Sequence, residues 1–271
     1  MLTVEGNEDQ LDVSGLTVVR HRPSEEGAPR VVIVHGSMDT SRSFAGLARN
    51  LGEFEVLRYD RRGYGDNLLP SAPAPRFRDH VNDLLAVLGD RPAYVLGHSL
   101  GGAVTLTAAA HAARSFLGVM VYEAPLPWTD WWPAPALPSR SSASEAEVRQ
   151  TAEAFLHRLM GTERWESWNV ERRELFLGWA PAWASELQDA SLDGAPFQAE
   201  DLTVPLLVSY GTATDERHRR GALEIAQRTG APLVPLEGGT HAAPHLMPQE
   251  LAAVVRGFVS SHEHAGQTVD R

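Results

Sequence analysis

The chain contains no cysteine. Disulfides, thiolate metal sites and a cysteine nucleophile are therefore excluded outright, and redox arguments leave the compartment open. No stretch approaches the roughly 18 consecutive apolar residues that cross a bilayer. The first residues, Met1 to Gln10, carry acids instead of the apolar centre of an export signal. Neither membrane insertion nor secretion is expected, and a cytoplasmic location is. Basic residues are also in deficit: 24 Lys and Arg against 35 Asp and Glu give a formal net charge of -11. A surface for phosphate backbones needs clustered cations, so a nucleic-acid partner is not expected.

What is present suffices for a substantial core. Of 271 residues, 43% are hydrophobic and 22% charged, which fits one catalytic domain with an insertion. Short apolar runs at Val31 to Val34, Val56 to Tyr59, Ala93 to Leu96, Val119 to Tyr122, Leu206 to Tyr210 and Leu233 to Leu236 read as buried strands. Leu16 to His21 alternates as an edge strand does. Between them lie segments of helical period: Phe44 to Leu51, Phe77 to Leu88, Leu100 to Ala113, Glu216 to Arg228 and Pro248 to His262. Strands alternating with helices predict an α/β fold, a mostly parallel central sheet flanked by helices.

The alternation breaks between Glu123 and Pro205, where roughly eighty residues hold no convincing strand. The segment opens with a Pro- and Trp-rich stretch from Pro125 to Pro138, passes a Ser-rich linker at Ser139 to Ser144, and turns helical over Glu145 to Met160 and Glu171 to Leu177. Residues 125–195 are expected to form a helical lid inserted into a core of residues 1–124 and 196–271. All seven tryptophans fall inside it. Aromatic side chains dominate ligand-site linings, so Trp128, Trp131 and Trp132 are candidates for a substrate pocket. The other reading is that the tryptophans glue the insertion to the core or form a dimer contact.

Gly97-His98-Ser99-Leu100-Gly101 follows a strand and opens an Ala-rich helix, the context that a G-x-S-x-G nucleophile elbow requires. A serine hydroxyl is a weak nucleophile and must be presented on a sharp turn, within reach of a base and of backbone N–H groups aimed at a developing oxyanion. The spacing lacks the lysine of a phosphate-binding loop and the G-x-G-x-x-G of a dinucleotide site. Ser99 is the candidate nucleophile. A second loop, His35-Gly36-Ser37-Met38-Asp39, follows the strand Val31 to Val34. Oxyanion donors are then expected from the backbone of Leu100 and of Ser37 or Met38. Asp39 reads as a cap for the helix that follows.

Taken together, HGSMD, Tyr59-Asp60-Arg61-Arg62-Gly63-Tyr64-Gly65, GHSLGG, Val121-Tyr122-Glu123-Ala124-Pro125 and Gly239-Thr240-His241 resemble the α/β-hydrolase superfamily. More narrowly, they are similar to small actinobacterial hydrolases of the esterase and perhydrolase branch with helical caps. The resemblance covers nearly all of the chain outside the insertion. It implies a structural role for Asp60 and Arg61, and a catalytic histidine in the loop after the last strand, where His241 stands. His245 is the nearest competitor. His35 and His98 lie beside the site and read as framework, and His98 is also a candidate substrate contact.

The acid is left between two residues. The family's usual acid follows the seventh strand, about three residues beyond a glycine. Here Thr214 holds that place, and Asp215 comes one later, directly before what reads as the first turn of a helix that it would cap. A minority of the superfamily carries the acid at the end of the sixth strand, where Glu123 stands.

These features predict a serine hydrolase that cleaves a carboxylic ester, or a related thioester or lactone, of an apolar or aromatic small molecule through an acyl-enzyme. No metal or organic cofactor is required, and a monomer or homodimer is expected. Two alternatives remain: a non-hydrolytic ligand-binding protein on the same fold, and a biosynthetic thioesterase or cyclase. The one compact basic cluster, Arg217, Arg219 and Arg220, would serve the latter by attracting an acidic carrier, or is a solvated helix face.

Overall fold

A computed structural model of the chain describes residues 7–68, 72–133, 143–192 and 194–269. Eight strands, β1 (Glu8–Val13), β2 (Leu16–His21), β3 (Arg30–Val34), β4 (Glu55–Tyr59), β5 (Ala93–His98), β6 (Phe116–Tyr122), β7 (Leu206–Gly211) and β8 (Leu233–Leu236), make one sheet. Its order is β1-β2-β4-β3-β5-β6-β7-β8. The pairs β1/β2 and β2/β4 are antiparallel, and all later pairs are parallel.

The helices are α1 (Ala45–Arg49), α2 (Phe77–Leu88), α3 (Leu100–His111), α4 (Glu145–Met160), α5 (Thr162–Glu166), α6 (Val170–Leu177), α7 (Ala180–Leu192), α8 (Glu216–Thr229), α9 (Ala243–Leu246) and α10 (Pro248–Val269). None among the described residues is long and apolar enough to cross a membrane. Strand side chains alternate between the two faces of a sheet. In β3 this sends Val32 and Val34 into the cluster formed with Leu84 of α2, Val104 of α3 and Ile225 of α8. Val31 and Ile33 go the other way, against Leu47 of α1 and Leu251 and Val255 of α10. Both faces are thus covered, which is why the parallel strands read as continuous apolar runs.

Several elements depart from the sequence reading. Strand β1, with the sequence EDQLDV, carries too little apolar patterning to be read as a strand. It pairs because Ser14 and Gly15, at φ 54° and 79°, close a tight hairpin with β2. Asp9 then accepts from the guanidinium groups of Arg20 and Arg22. The short α5 and the Ala-rich α7 were not distinguished by periodicity. Helix α7 tolerates Pro181 because it lies in the first turn, where a missing N–H costs nothing. Helix α10 runs past His262 to Val269.

The segment between β6 and β7 contains α4 to α7. Its tryptophans divide into two groups. Trp165, Trp168, Trp179 and Trp183 pack with Leu156 and Leu177 in a cluster of the insertion itself, which also takes in Met38 and Tyr64 of the core. Trp128, Trp131 and Trp132 pack against the sheet-side cluster.

One carboxylate joins the insertion to the core. Glu186, on α7, is completely buried. Its oxygens lie 2.6 Å from Arg61 Nη1, 2.6 Å from the Tyr64 hydroxyl and 2.7 Å from Ser37 Oγ, all donors to it. His80 Nε2 of α2 is 3.0 Å away. Burial alone would push this carboxyl up. The Arg61 charge and His80 outweigh burial and hold it well below the ordinary carboxylate range. Replacing Glu186 by Leu leaves the guanidinium of Arg61 buried without a counter-charge, and removing one partner of a buried pair costs about 3–5 kcal/mol. We therefore expect Glu186→Leu to lose about that much in urea-induced unfolding, and a loss below 1 kcal/mol, within the range of an exposed pair, would refute the assignment.

Candidate active site

Strand β5 runs into a turn at Ser99, whose φ of 51° and ψ of -129° are followed at once by helix α3. Such a backbone costs a non-glycine residue about 1–3 kcal/mol and persists only where its surroundings impose it. Here the Ser99 N–H donates to the Tyr122 carbonyl at 3.0 Å, and the Gly102 N–H donates to the Ser99 carbonyl at 2.7 Å. The neighbouring loop must be glycine at position 36, since a Cβ there would lie 2.8 Å from Ser99 Cβ. Among the described residues, the non-glycine positions with positive φ are Ser14, Met38, Ser99 and Glu123. The last three share this site.

Glu123 follows the last residue of β6 and is completely buried at a φ of 52°. Its carboxylate accepts the Gly211 N–H at 2.9 Å and the Thr214 hydroxyl at 2.9 Å. Its Oε2 also lies 2.6 Å from His241 Nδ1. With Nδ1 donating to the carboxylate, the neutral ring keeps its lone pair on Nε2. Thr214, at the position where the resemblance puts the usual acid, thus hydrogen-bonds a carboxylate that comes from the end of another strand.

Asp215 is not brought to His241. It caps α8, accepting the His218 N–H at 3.2 Å, and pairs with Arg217 at 3.1 Å while remaining half exposed. Helix α8 begins at the very next residue, so the carboxylate is committed to the helix end. The ring of His218 stacks on that of His241 at 4.1 Å between centroids and 9° between planes. Its Nδ1 is 3.0 Å from Asp215 and 3.6 Å from Glu123. Burial, with the nearby His241 and Arg217, brings its pKa down to about 2.

The loop that carries His241 is held from two sides. His98 Nε2 lies 3.0 Å from the His241 carbonyl, and the Tyr122 hydroxyl donates to the Thr240 carbonyl at 2.8 Å. Burial and the neighbouring His241 keep His98 well below the ordinary imidazole value, so its Nε2–H is the donor. Tyr122 and His218 were not singled out from the sequence. Both sit on elements whose apolar pattern gives no sign of a polar task.

The remaining candidates separate clearly. Ser37 turns its hydroxyl to Glu186, and the Met38 backbone hydrogen-bonds the Tyr64 hydroxyl. Asp39 accepts the Thr40 N–H at 2.8 Å in the turn before α1, while its other oxygen is 3.3 Å from His245 Nε2. His245 also has Nδ1 on the Ser43 carbonyl at 3.1 Å, so both of its ring nitrogens are engaged, on the wall of a cavity that it shares with Ser99. Asp60 accepts the N–H groups of Ser41 and Asp66, both at 2.7 Å. Trp132 lines the same cavity as Ser99. Trp128 packs edge-on against Phe197, and Trp131 donates to Glu224 at 2.8 Å beneath the guanidinium of Arg220. Neither of these two reaches that cavity.

Ser99 and His241 line two adjoining cavities of about 290 and 260 Å³. A more open cleft of about 680 Å³ on the outer side of the insertion, between α4 and α6, includes neither residue. Two groups present ligand atoms within 4.8 Å of one another: Glu123, His218 and His241, and Asp39, His98 and His245. A metal lies in the plane of each imidazole that binds it. The parallel, stacked rings of His218 and His241 cannot both meet that condition.

The chain belongs to the alpha/beta hydrolase family, whose model matches residues 31–254. Among individual relatives, it is 38% identical over 98 residues to lipase LipV of Mycobacterium tuberculosis, which is 35% of this chain and 36% of that protein. It is 32% identical over 105 residues to the hydrolase YraK of Bacillus subtilis, covering 37% and 38% of the two chains. The matched segments thus span little more than a third of these relatives. In three dimensions it is similar to the enol-lactonase of Burkholderia xenovorans, with a TM-score of 0.69, 23% identity, and coverage of 93% of this chain and 100% of that one. A thermophilic esterase from Thermogutta terrifontis gives a TM-score of 0.66 at 16% identity over 95% of this chain and 99% of that one. At such identities the likeness concerns the fold.

The buried histidines set the acid limit of stability. His35 Nδ1 is 2.7 Å from the Gly36 carbonyl, and its Nε2 accepts the Arg61 N–H at 2.7 Å, an arrangement only the neutral ring can hold. Burial and the Arg61 charge bring its pKa from 6.5 down to about 4. A depressed imidazole stabilises the fold fully above 6.5 and loses that contribution as pH falls toward about 4, because the unfolded chain takes up the proton first. For His35 alone the interval is worth roughly 3 kcal/mol, and His218 adds in the same direction. The melting temperature should therefore fall as pH drops below 6.5, the raised His245 offsetting only part of the loss. A profile flat down to pH 5, read by calorimetry, would contradict this.

Proposed function

We propose that this hydrolase is a serine esterase in which Ser99 is the nucleophile, His241 the base and Glu123 the acid. The observation that carries the reading is the 2.6 Å bond from His241 Nδ1 to a fully buried Glu123, in a cavity wall shared with the strained Ser99. Asp215 is left with a structural task.

Chemically, His241 Nε2 takes the hydroxyl proton as Ser99 Oγ attacks an ester carbonyl. The oxyanion is received by backbone N–H groups of Leu100 and of Ser37 or Met38. Collapse breaks the bond to the leaving oxygen, which takes the proton from His241 and departs as an alcohol. Water then attacks the acyl-enzyme, giving its proton to His241. Breakdown releases the carboxylic acid and restores the Ser99 hydroxyl. Glu123 keeps the ring in the tautomer this cycle needs and stabilises the imidazolium. The stacked His218 stays neutral, so it adds no repulsion when His241 is charged. The helical insertion acts as a lid over the two cavities, supplying Phe155 and Leu159 to both walls. An ester with apolar or aromatic parts suits these walls.

Labelling with a fluorophosphonate probe, followed by 4-nitrophenyl ester turnover, tests the assignment. Ser99→Ala should abolish labelling, and His241→Ala and Glu123→Gln should each lower kcat/KM by about 10³–10⁴-fold. Asp215→Asn should stay within about threefold of wild type, since a cap contributes to stability alone. A folded wild-type protein that neither labels nor turns over would sink the proposal, and the opposite ranking of the two acid variants would reassign the acid.

A further inference from the structure

The walls around Ser99 carry an imbalance of charge opposite to that of the chain. The 290 Å³ cavity is lined by Arg158 and Arg217, and the 260 Å³ cavity by Arg164 and Arg172. Among the residues lining either, Asp39 is the only carboxylate, and it is engaged by His245 and the Ser43 hydroxyl. Four guanidinium groups thus face one committed acid in a protein whose acids outnumber its bases 35 to 24.

Helix stability accounts for only two of the four: Arg158 and Arg164 lie in the last turns of α4 and α5, where the helix dipole favours a cation. Arg217 lies in the first turn of α8 and Arg172 in the first turn of α6, where the helix dipole disfavours a cation. Arg172 lies over the ring of Trp168 at 4.0 Å. Arg158 and Arg164, near the ends of α4 and α5, have no ion-pair partner among the described residues. The first cavity is the more telling. Arg158 comes from the insertion and Arg217 from the core, so two distant segments bring guanidinium groups to one chamber beside Ser99; no carboxylate lies on its wall, and Arg217 keeps its pair with Asp215 at the helix end, 3.1 Å away. The second chamber sets Met160, Trp168 and Phe176 beside its two guanidinium groups, with Leu246, 64% exposed, at its edge.

Building on the esterase reading, we propose that the substrate is an anionic ester, with a free carboxylate held by Arg158 and Arg217 in the first chamber and an apolar group in the second. The planar fork of a guanidinium matches a carboxylate, and the chain's overall negative charge makes local cations necessary to admit such a substrate.

The test compares two esters of equal length, the mono-4-nitrophenyl ester of adipic acid and 4-nitrophenyl hexanoate. A hydrogen-bonded charge contributes about 10–100-fold, so the adipate ester should have the higher kcat/KM by that factor at low salt, with the gap narrowing as salt is added. Arg158→Gln and Arg217→Gln should each bring the ratio toward one. Arg149→Gln, the same charge change on the outer cleft, should leave the ratio unchanged. A wild-type ratio near one, or an equal fall in Arg149→Gln, overturns the inference while leaving the esterase reading intact. If neither ester is cleaved, the esterase reading fails, and calorimetric titration of Ser99→Ala with adipate decides the anion site alone. Binding that is lost in the Ser99→Ala, Arg158→Gln double variant supports the site, and absence of binding overturns it.

Discussion

The buried pair between Arg61 and Glu186 is the contact on which the rest of the site depends. Both side chains are completely buried. Desolvating two charges is costly, and a pair like this endures only when every remaining donor and acceptor is occupied. Here Arg61 also donates to the carbonyls of His35 and Gly36. Glu186 collects Tyr64 and Ser37 besides. One salt bridge therefore fixes the backbone of the loop behind Ser99 and the seat of the insertion above it. The insertion cannot shift far without exposing an unpaired charge in the core, so its position and the geometry of the Ser37 loop are mechanically one thing.

A second constraint acts from the other side of Ser99. Glu123, Ser99 and Met38 all hold positive φ. Backbone strain of this kind persists where surrounding bonds over-determine it. For Glu123 those bonds come from two segments at the carboxyl edge of the sheet: Gly211 and Thr214 at the end of β7 and in the loop after it, and His241 in the loop after β8. The close approach of Gly211 to Gly239, where a Cβ would meet the carbonyl oxygen at 2.1 Å, lets the loop after β7 and the histidine loop lie against each other. The carboxylate is therefore held by a framework, and its hold on His241 does not rest on a single bond.

Much of this was legible from residue order. The strands from Val31 to Leu236 read as they pair, because parallel strands covered on both faces leave unbroken apolar runs. The elbow at Ser99 and the loop at His241 were equally plain, since glycines and a strand-to-helix transition are local signals. Strand β1 was not, because its pairing rests on a turn and on charges that meet only after folding. The tryptophans were legible as a group but not one by one. Trp132 borders the Ser99 cavity while Trp131, its chain neighbour, is drawn to Glu224 and Arg220.

By itself the sequence determined the fold class and the sharp turn at Ser99, which depend on residues close together along the chain, and its resemblance to the superfamily offered His241, Glu123 and Asp215 as candidates for base and acid. Only the tertiary structure decided between Glu123 and Asp215 as the partner of His241. Both carboxylates lie at strand or helix ends with suitable local context. The choice turns on which one meets an imidazole 118 residues away from Glu123 along the chain, and that depends on how three loops pack at one sheet edge. The same holds for Glu186, which nothing in its own helix marks as special. Its role comes from Arg61, 125 residues away, and from the low dielectric that makes leaving either charge alone so costly.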